Sequence, residues 1–252
     1  MSQYYRPQRT RNIYNPNSPE PFKLSRSKIE LFMNCPRCFY LDRRLGIGQP
    51  PGFPFNLNSA VDTLLKKEFD YYRSRGETHP LITLNGIDAK PFQHDQLEEW
   101  RDSLRRGIKY HHLQTNLIIT GGVDDVWQNT NGELIIVDYK ATSKSEPVGI
   151  NSGWQIGYKR QMSLYAWLFK KNDFRVADTG YFVYCNGLVN RDFFNQRLEF
   201  DVSLIPYKID DSWVEQNIIQ AHQCLNLPQA PKHSADCDFC QYLLTAGHLP
   251  LQ

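Results

Sequence analysis

Gly121-Gly122-Val123-Asp124-Asp125-Val126-Trp127 and, after Thr130-Asn131-Gly132, Leu134-Ile135-Ile136-Val137-Asp138-Tyr139-Lys140 form the stretch on which the fold turns. Two apolar runs parted by Thr-Asn-Gly read as a β-hairpin, with strands over 117–127 and 133–140. Asp138 and Lys140 are two residues apart in a strand, so their side chains leave one face. A carboxylate and an ammonium at the end of the apolar run Leu134–Val137 are costly to bury unless they are paired or used. The facing strand supplies a further carboxylate. Two carboxylates are what a divalent ion such as Mg²⁺ takes from a protein. The turn decides which carboxylate that is. A two-residue loop on Asn131-Gly132 sets Asp125 opposite Asp138, whereas a three-residue loop with Gly132 in the left-handed region sets Asp124 there. Both loops are common.

Outward from the hairpin, periodicity places helices on both sides of it. Ser27 with Glu30 three residues on is a capping-box pattern opening a helix that Pro36 breaks or kinks. After a Pro/Gly-rich loop over 46–54, Asn58 caps a second helix with Val61, Leu64, Leu65 and Phe69 on one face. A third helix is expected over 95–109, burying Leu97, Trp100, Leu104 and Ile108. Beyond the hairpin come a helix over 155–171, strands over 175–185 and 192–202 around Asn186-Gly187, and a helix over 207–225. A loop-like tail with Cys237 and Cys240 closes the chain. The order fits an α/β mixed sheet flanked by helices. Residues 1–20 carry Arg6, Arg9 and Arg11 among polar residues and read as a flexible basic tail. Residues 21–252 read as a single domain.

The chain has 252 residues and a formal net charge of +2, so any nucleic-acid partner must be held by a local patch rather than by bulk charge. Basic candidates for such a patch are Arg37, Arg43, Arg44, Lys66, Lys67, Arg105 and Arg106. Adjacent His111 and His112 point to opposite faces of a strand and are not a metal site. No apolar run is long enough to cross a bilayer, and the N-terminus has no signal-like apolar stretch, so a cytoplasmic protein without membrane partners is expected. Cys35-Pro-Arg-Cys38 and Cys237-Asp-Phe-Cys240 form a CxxC…CxxC set, which matches both structural zinc and an iron–sulfur cluster. Cys185 and Cys224 read as small buried hydrophobes.

Together these residues resemble the PD-(D/E)XK nuclease superfamily, near RecB nuclease domains and the CRISPR-associated adaptation exonucleases. The matching motifs are Gly-Gly-Val-Asp124, Asp138-Tyr-Lys140 and Gln161-Met-Ser-Leu-Tyr165. The resemblance implies a restriction-endonuclease-like sheet and tips the hairpin toward Asp124. It implies that Asp124, Asp138 and the Tyr139 backbone carbonyl hold Mg²⁺ or Mn²⁺. Lys140 would act on the attacking water, with Gln161 as a supporting polar residue. Asp62 stands where many relatives carry a histidine ligand. Arg37, Arg43, Arg44 and Tyr165 are candidate nucleic-acid contacts. For Cys35, Cys38, Cys237 and Cys240 it implies a 4Fe–4S cluster joining the termini, with zinc as the alternative, although the family's final cysteine is absent. The implied activity is metal-dependent hydrolysis of DNA, at single-stranded ends or flaps. The alternative is a catalytically inactive nuclease-fold module that binds nucleic acid or a partner protein.

Overall fold

A computed structural model describes residues 8–50, 52 and 55–247. Residues 1–7 of the expected tail, Arg6 among them, lie outside the described residues, as do Pro51, Phe53 and Pro54 of the Pro/Gly loop. The elements of the first half are β1 (Phe22–Ser25), α1 (Arg26–Asn34), α2 (Pro36–Arg44), α3 (Asn56–Arg73), α4 (Pro80–Leu84), β2 (Lys90–Pro91), α5 (Leu97–Arg101), β3 (Ile108–His112) and β4 (Leu117–Gly121). Then follow β5 (Asp125–Gln128), β6 (Leu134–Thr142), α6 (Ile156–Lys171), β7 (Thr179–Gly187), β8 (Phe200–Lys208), α7 (Val214–Leu225) and α8 (Asp238–Ala246). The chain divides into two compact units, one drawn from 1–53, 111–120 and 212–252, the other from 54–110 and 121–211.

In the first unit β1 runs parallel to β4, with Phe22 opposite Leu117, in a three-stranded sheet of order β1-β4-β3. Ser25 rather than Ser27 stands at the N-cap of α1, and no side chain caps it. The helix ends at Asn34, because Pro36 starts a new one: Pro36 occupies the first turn of α2, where its missing N–H costs nothing. Within 8–20, Arg9 pairs with Asp42 and Tyr14 is buried, its hydroxyl 3.1 Å from His222 Nε2.

The second unit is built on a five-stranded sheet of order β2-β5-β6-β7-β8, in which β6 and β7 are parallel and the other pairs antiparallel. Leu65, Phe69 and Arg73 recur every four residues along α3, so one helix face is buried. Phe69 stacks on Trp127 at 5.5 Å and packs near Tyr139, in a core shared with Val137 and Val183. Each such aromatic or aliphatic side chain contributes roughly 1.5–3 kcal/mol on burial. Leu64, expected on that face, is exposed.

The expected helix over 95–109 shrinks to α5. It ends at Arg101 with Asp102 as the C-cap; Ile108, following Gly107 at φ +71°, is buried from strand β3, and Leu104 is exposed. The strand expected over 117–127 is two strands, β4 and β5, separated by Gly122–Asp124. Beyond α6, β7 runs on through Asn186-Gly187 rather than turning there. Asn186 is tied into the sheet region by a pair of hydrogen bonds with the Lys144 backbone. The reversal comes later, at Asn195 and Gln196, which have positive φ. The helix expected from Tyr207 begins only at Val214, since β8 extends to Lys208, and the cysteine tail contains α8.

Candidate active site

The hairpin register is that of the three-residue loop. Asp125 pairs with Val137 and Gln128 with Leu134; Asn129 N–H donates to Glu133 O, and Gly132 has φ +76°. Continuing this ladder by one residue brings Asp124 level with Asp138. Asp124 Oδ2 accepts the Tyr139 backbone N–H at 2.9 Å, which fixes the carboxylate beside β6.

The two neighbouring aspartates have opposite fates. Asp125 is fully buried, on the other face of the sheet, where Arg73, Arg101 at 2.9 Å, Trp127 Nε1 and the Tyr139 hydroxyl all donate to it. Arg101 also donates from Nε to the Asp124 backbone carbonyl at 3.1 Å, so this network holds the strand that carries Asp124. Burial opposes charge on Arg101, but Asp125 and Asp70 outweigh it and keep the guanidinium charged.

Asp124 faces a cleft of about 380 Å³ lined also by Asp62, Lys140, Gln161, Tyr158, Asn58 and Phe55. Asp138 is fully buried, in contact with two of the lining residues, Gln161 and Lys140. Its Oδ1 accepts from Gln161 Nε2 at 2.8 Å. Its Oδ2 pairs with the Lys140 ammonium but has no hydrogen bond of regular geometry. Burial, and then the charge of Asp138, raise the Asp124 carboxyl to about 6. For Lys140 burial acts downward, but Asp138 and Asp124 prevail and hold the ammonium above its usual value. Two carboxylates that resist sharing negative charge, with one ammonium between them, are a donor set that fits a divalent cation.

Gln161 is itself positioned. Its Nε2 donates to the Tyr165 hydroxyl at 3.1 Å, and the Tyr165 ring packs over Gly121, where a Cβ would stand 2.6 Å from the ring. The glycine in front of the aspartate strand is therefore room for Tyr165. That ring is buried, so Tyr165 is a support for Gln161 and not the nucleic-acid contact expected of it.

Asp62 reaches the cleft from α3 and pairs with Lys66 at 2.8 Å; Lys66 Nζ stands 3.8 Å from Asp124. Lys66 went unassigned to this site in the sequence, although its place four residues after Asp62 is a signal for such a pair. Tyr158 was also missed; the Lys140 ammonium lies 4.5 Å from the centre of its ring. Asn58 does not cap α3, whose N-cap residue is Phe55, but donates to the Ala141 carbonyl.

In the first unit the expected basic contacts part ways. Arg43 is 4% exposed and bound to Asp42 at 2.8 Å, a buried ion pair unable to reach a phosphate. Arg37 donates to the Pro231 carbonyl and Arg44 to that of Tyr14. The four motif cysteines come together, all buried and free of disulfides, with every ligand sulfur within 4.8 Å of the others. Burial opposes ionisation of Cys35, but the Cys38 and Ser234 backbones outweigh it and draw the thiol down to about 7. Burial pushes Cys38 up to about 11. Such a set is able to bind a metal once the ion makes up for the cost of gathering thiolates.

The sequence matches the family described as the PD-(D/E)XK nuclease superfamily over residues 23–243. The chain belongs to the PD-(D/E)XK nuclease superfamily. No curated protein matches it significantly. A solved structure described as "Crystal structure of SSO0001" is similar at 16% identity, over 94% of this chain and 88% of that one, with a TM-score of 0.39. Superfamily members use divalent metals, and the carboxylate cleft is where this chain offers oxygen donors for one. No helix among the described residues is long and apolar enough to cross a membrane.

Proposed function

We propose that this chain is a divalent-metal-dependent nuclease that hydrolyses DNA at single-stranded ends or flaps, a cytoplasmic exonuclease of the RecB-like kind. The observation that carries the reading is the convergence of Asp124, Asp138, Lys140 and Gln161 on one cleft. Asp124 and Asp138 hold Mg²⁺ or Mn²⁺, with the Tyr139 carbonyl and Asp62 as further oxygen donors. The bound ion supplies polarisation of the phosphoryl oxygen and a water of lowered pKa.

The chain's own groups do the rest. Gln161 donates to Oδ1 of Asp138 and orients the carboxylate that would hold the ion. Lys140, paired with Oδ2 and beside the face of Tyr158, would turn toward the water and the phosphate once the ion takes over that carboxylate. There its charge orients the nucleophile and offsets charge developing on the phosphoryl oxygens. Trp154 supports the preference for single strands. It is exposed, beside Tyr158 at 5.5 Å and Lys144 at 5.4 Å, which suits an unpaired base and its phosphate. The cysteine centre has a structural role.

The test is cleavage of end-labelled single- and double-stranded DNA with Mg²⁺, Mn²⁺ or EDTA. Metal-dependent cutting of single-stranded ends is expected, lost in Lys140→Ala while DNA binding persists, since phosphate contacts are spread over many residues. Equal cutting of duplex without ends would overturn the substrate reading. Binding without cutting under either metal would replace the enzyme with a catalytically inactive nuclease-fold module.

A further inference from the structure

The cysteine centre fits a different metal from the one that the family resemblance implies. Cys38 Sγ lies 3.6 Å from both Cys237 Sγ and Cys240 Sγ, and Cys35 Sγ lies 3.9 Å from Cys240 Sγ. All four sulfurs stand within 4.8 Å of one another. Thiolates around one zinc ion, each at about 2.3 Å in a tetrahedron, are separated from each other by about 3.8 Å. A four-iron cluster instead binds each thiolate to a different iron, with irons and sulfides lying between the thiolates. The sulfur spacing here is that of thiolates around one ion and tighter than a four-iron core sets between its thiolates.

We infer that Cys35, Cys38, Cys237 and Cys240 hold a single tetrahedral zinc ion and not an iron–sulfur cluster. The surroundings agree with a closed structural site. All four cysteines are buried, and Leu31 packs against them. Cys35 and Cys237 are the N-cap residues of α2 and α8, while Cys38 and Cys240 lie in the first turns of those helices. The net negative charge of four thiolates on a divalent ion thus sits at two positive helix ends. Among single ions, zinc binds such a site more tightly than ferrous iron.

The experiment uses the whole chain, expressed with iron and zinc both supplied and purified without oxygen. Metal and acid-labile sulfide are measured before and after incubation with iron and sulfide. One zinc per chain, a colourless solution and no four-iron chromophore after the incubation are the expected results. Cobalt in place of zinc should give the visible bands of tetrahedral thiolate coordination. Four irons with sulfide, at either stage, would overturn the inference, and so would one iron without sulfide or a protein with no metal. This outcome is independent of the nuclease reading, because it involves no DNA.

Discussion

The two faces of the β5–β6 hairpin carry adjacent carboxylates with different work. Beneath the sheet, Asp125 meets Arg73, Arg101, Trp127 and Tyr139, and its charge is fully matched. On the cleft face, Asp124 and Asp138 oppose each other across the register, and one buried oxygen of Asp138 lacks an aligned hydrogen bond. A satisfied carboxylate belongs to folding. A pair of like charges beside a cleft, with the Asp124 carboxyl raised by burial and by Asp138, is the arrangement that the proposed cation would relieve.

Removing a cleft carboxylate separates the two jobs most sharply. Asp138→Asn is expected to lower metal-dependent DNA cleavage by a factor on the order of a hundred or more, because the ion loses a ligand. Its unfolding free energy without metal should fall by less than in Asp125→Ala, since relief of the repulsion at Asp124 offsets part of the lost Lys140 pair. Cleavage at wild-type rate would end the assignment.

Asp125→Ala should cost more stability. It leaves the buried Arg73 and Arg101 with only the half-exposed Asp70 as a carboxylate partner, a loss of about 3 kcal/mol. Denaturant unfolding measures this directly, and an unchanged midpoint would show that the lower face is not a folding device.

The pH dependence follows from Asp124, whose carboxyl is raised to about 6. Because the folded chain holds this proton more tightly than the unfolded one, Asp124 costs stability as pH rises from about 4 toward 6 and nothing further above that. The metal-free difference in unfolding free energy between wild type and Asp124→Asn should therefore widen over that window in favour of the variant. Mn²⁺ affinity should move oppositely and weaken as pH falls through 6, because the ion must displace the proton. An affinity independent of pH between 5 and 7 would break the link between the raised pKa and the ion. The smallest effect is expected at Gly132→Ala, where a side chain at φ +76° costs about 1 kcal/mol and shifts cleavage little.

How much of this could be read beforehand depended on whether the deciding force was local. The two apolar runs in 117–140 and the Thr-Asn-Gly between them specified the hairpin, and the register tie between Asp124 and Asp125 lay open because loop length is a choice of one residue. Only Asn129 opposite Glu133, with Gly132 in the left-handed region, closes it. Helix periodicity over 95–109 misled because the helix already ends at Arg101; the chain then passes through Gly107 at positive φ, and Ile108 is buried from a strand. Asn186-Gly187 carried a turn signal that tertiary contact overrode, since Asn186 bonds to the Lys144 backbone. Arg43 looked like a surface cation; a partner one residue away, Asp42, makes it an interior one. Tyr165 and Lys66 each have a partner four residues away on their own helix; what had no local signature is their contact with Gly121 and Asp124 on other elements.

The most direct measurement is a Mn²⁺ titration near neutral pH, followed by calorimetry and by the thermal unfolding midpoint, on wild type, Asp138→Asn and Asp125→Asn. Wild type and Asp125→Asn should bind the ion and gain thermal stability from it, even if Asp125→Asn starts from a lower midpoint. Asp138→Asn should show neither response. Binding by Asp138→Asn with wild-type affinity, or loss of binding confined to Asp125→Asn, would contradict the division of labour between the two faces.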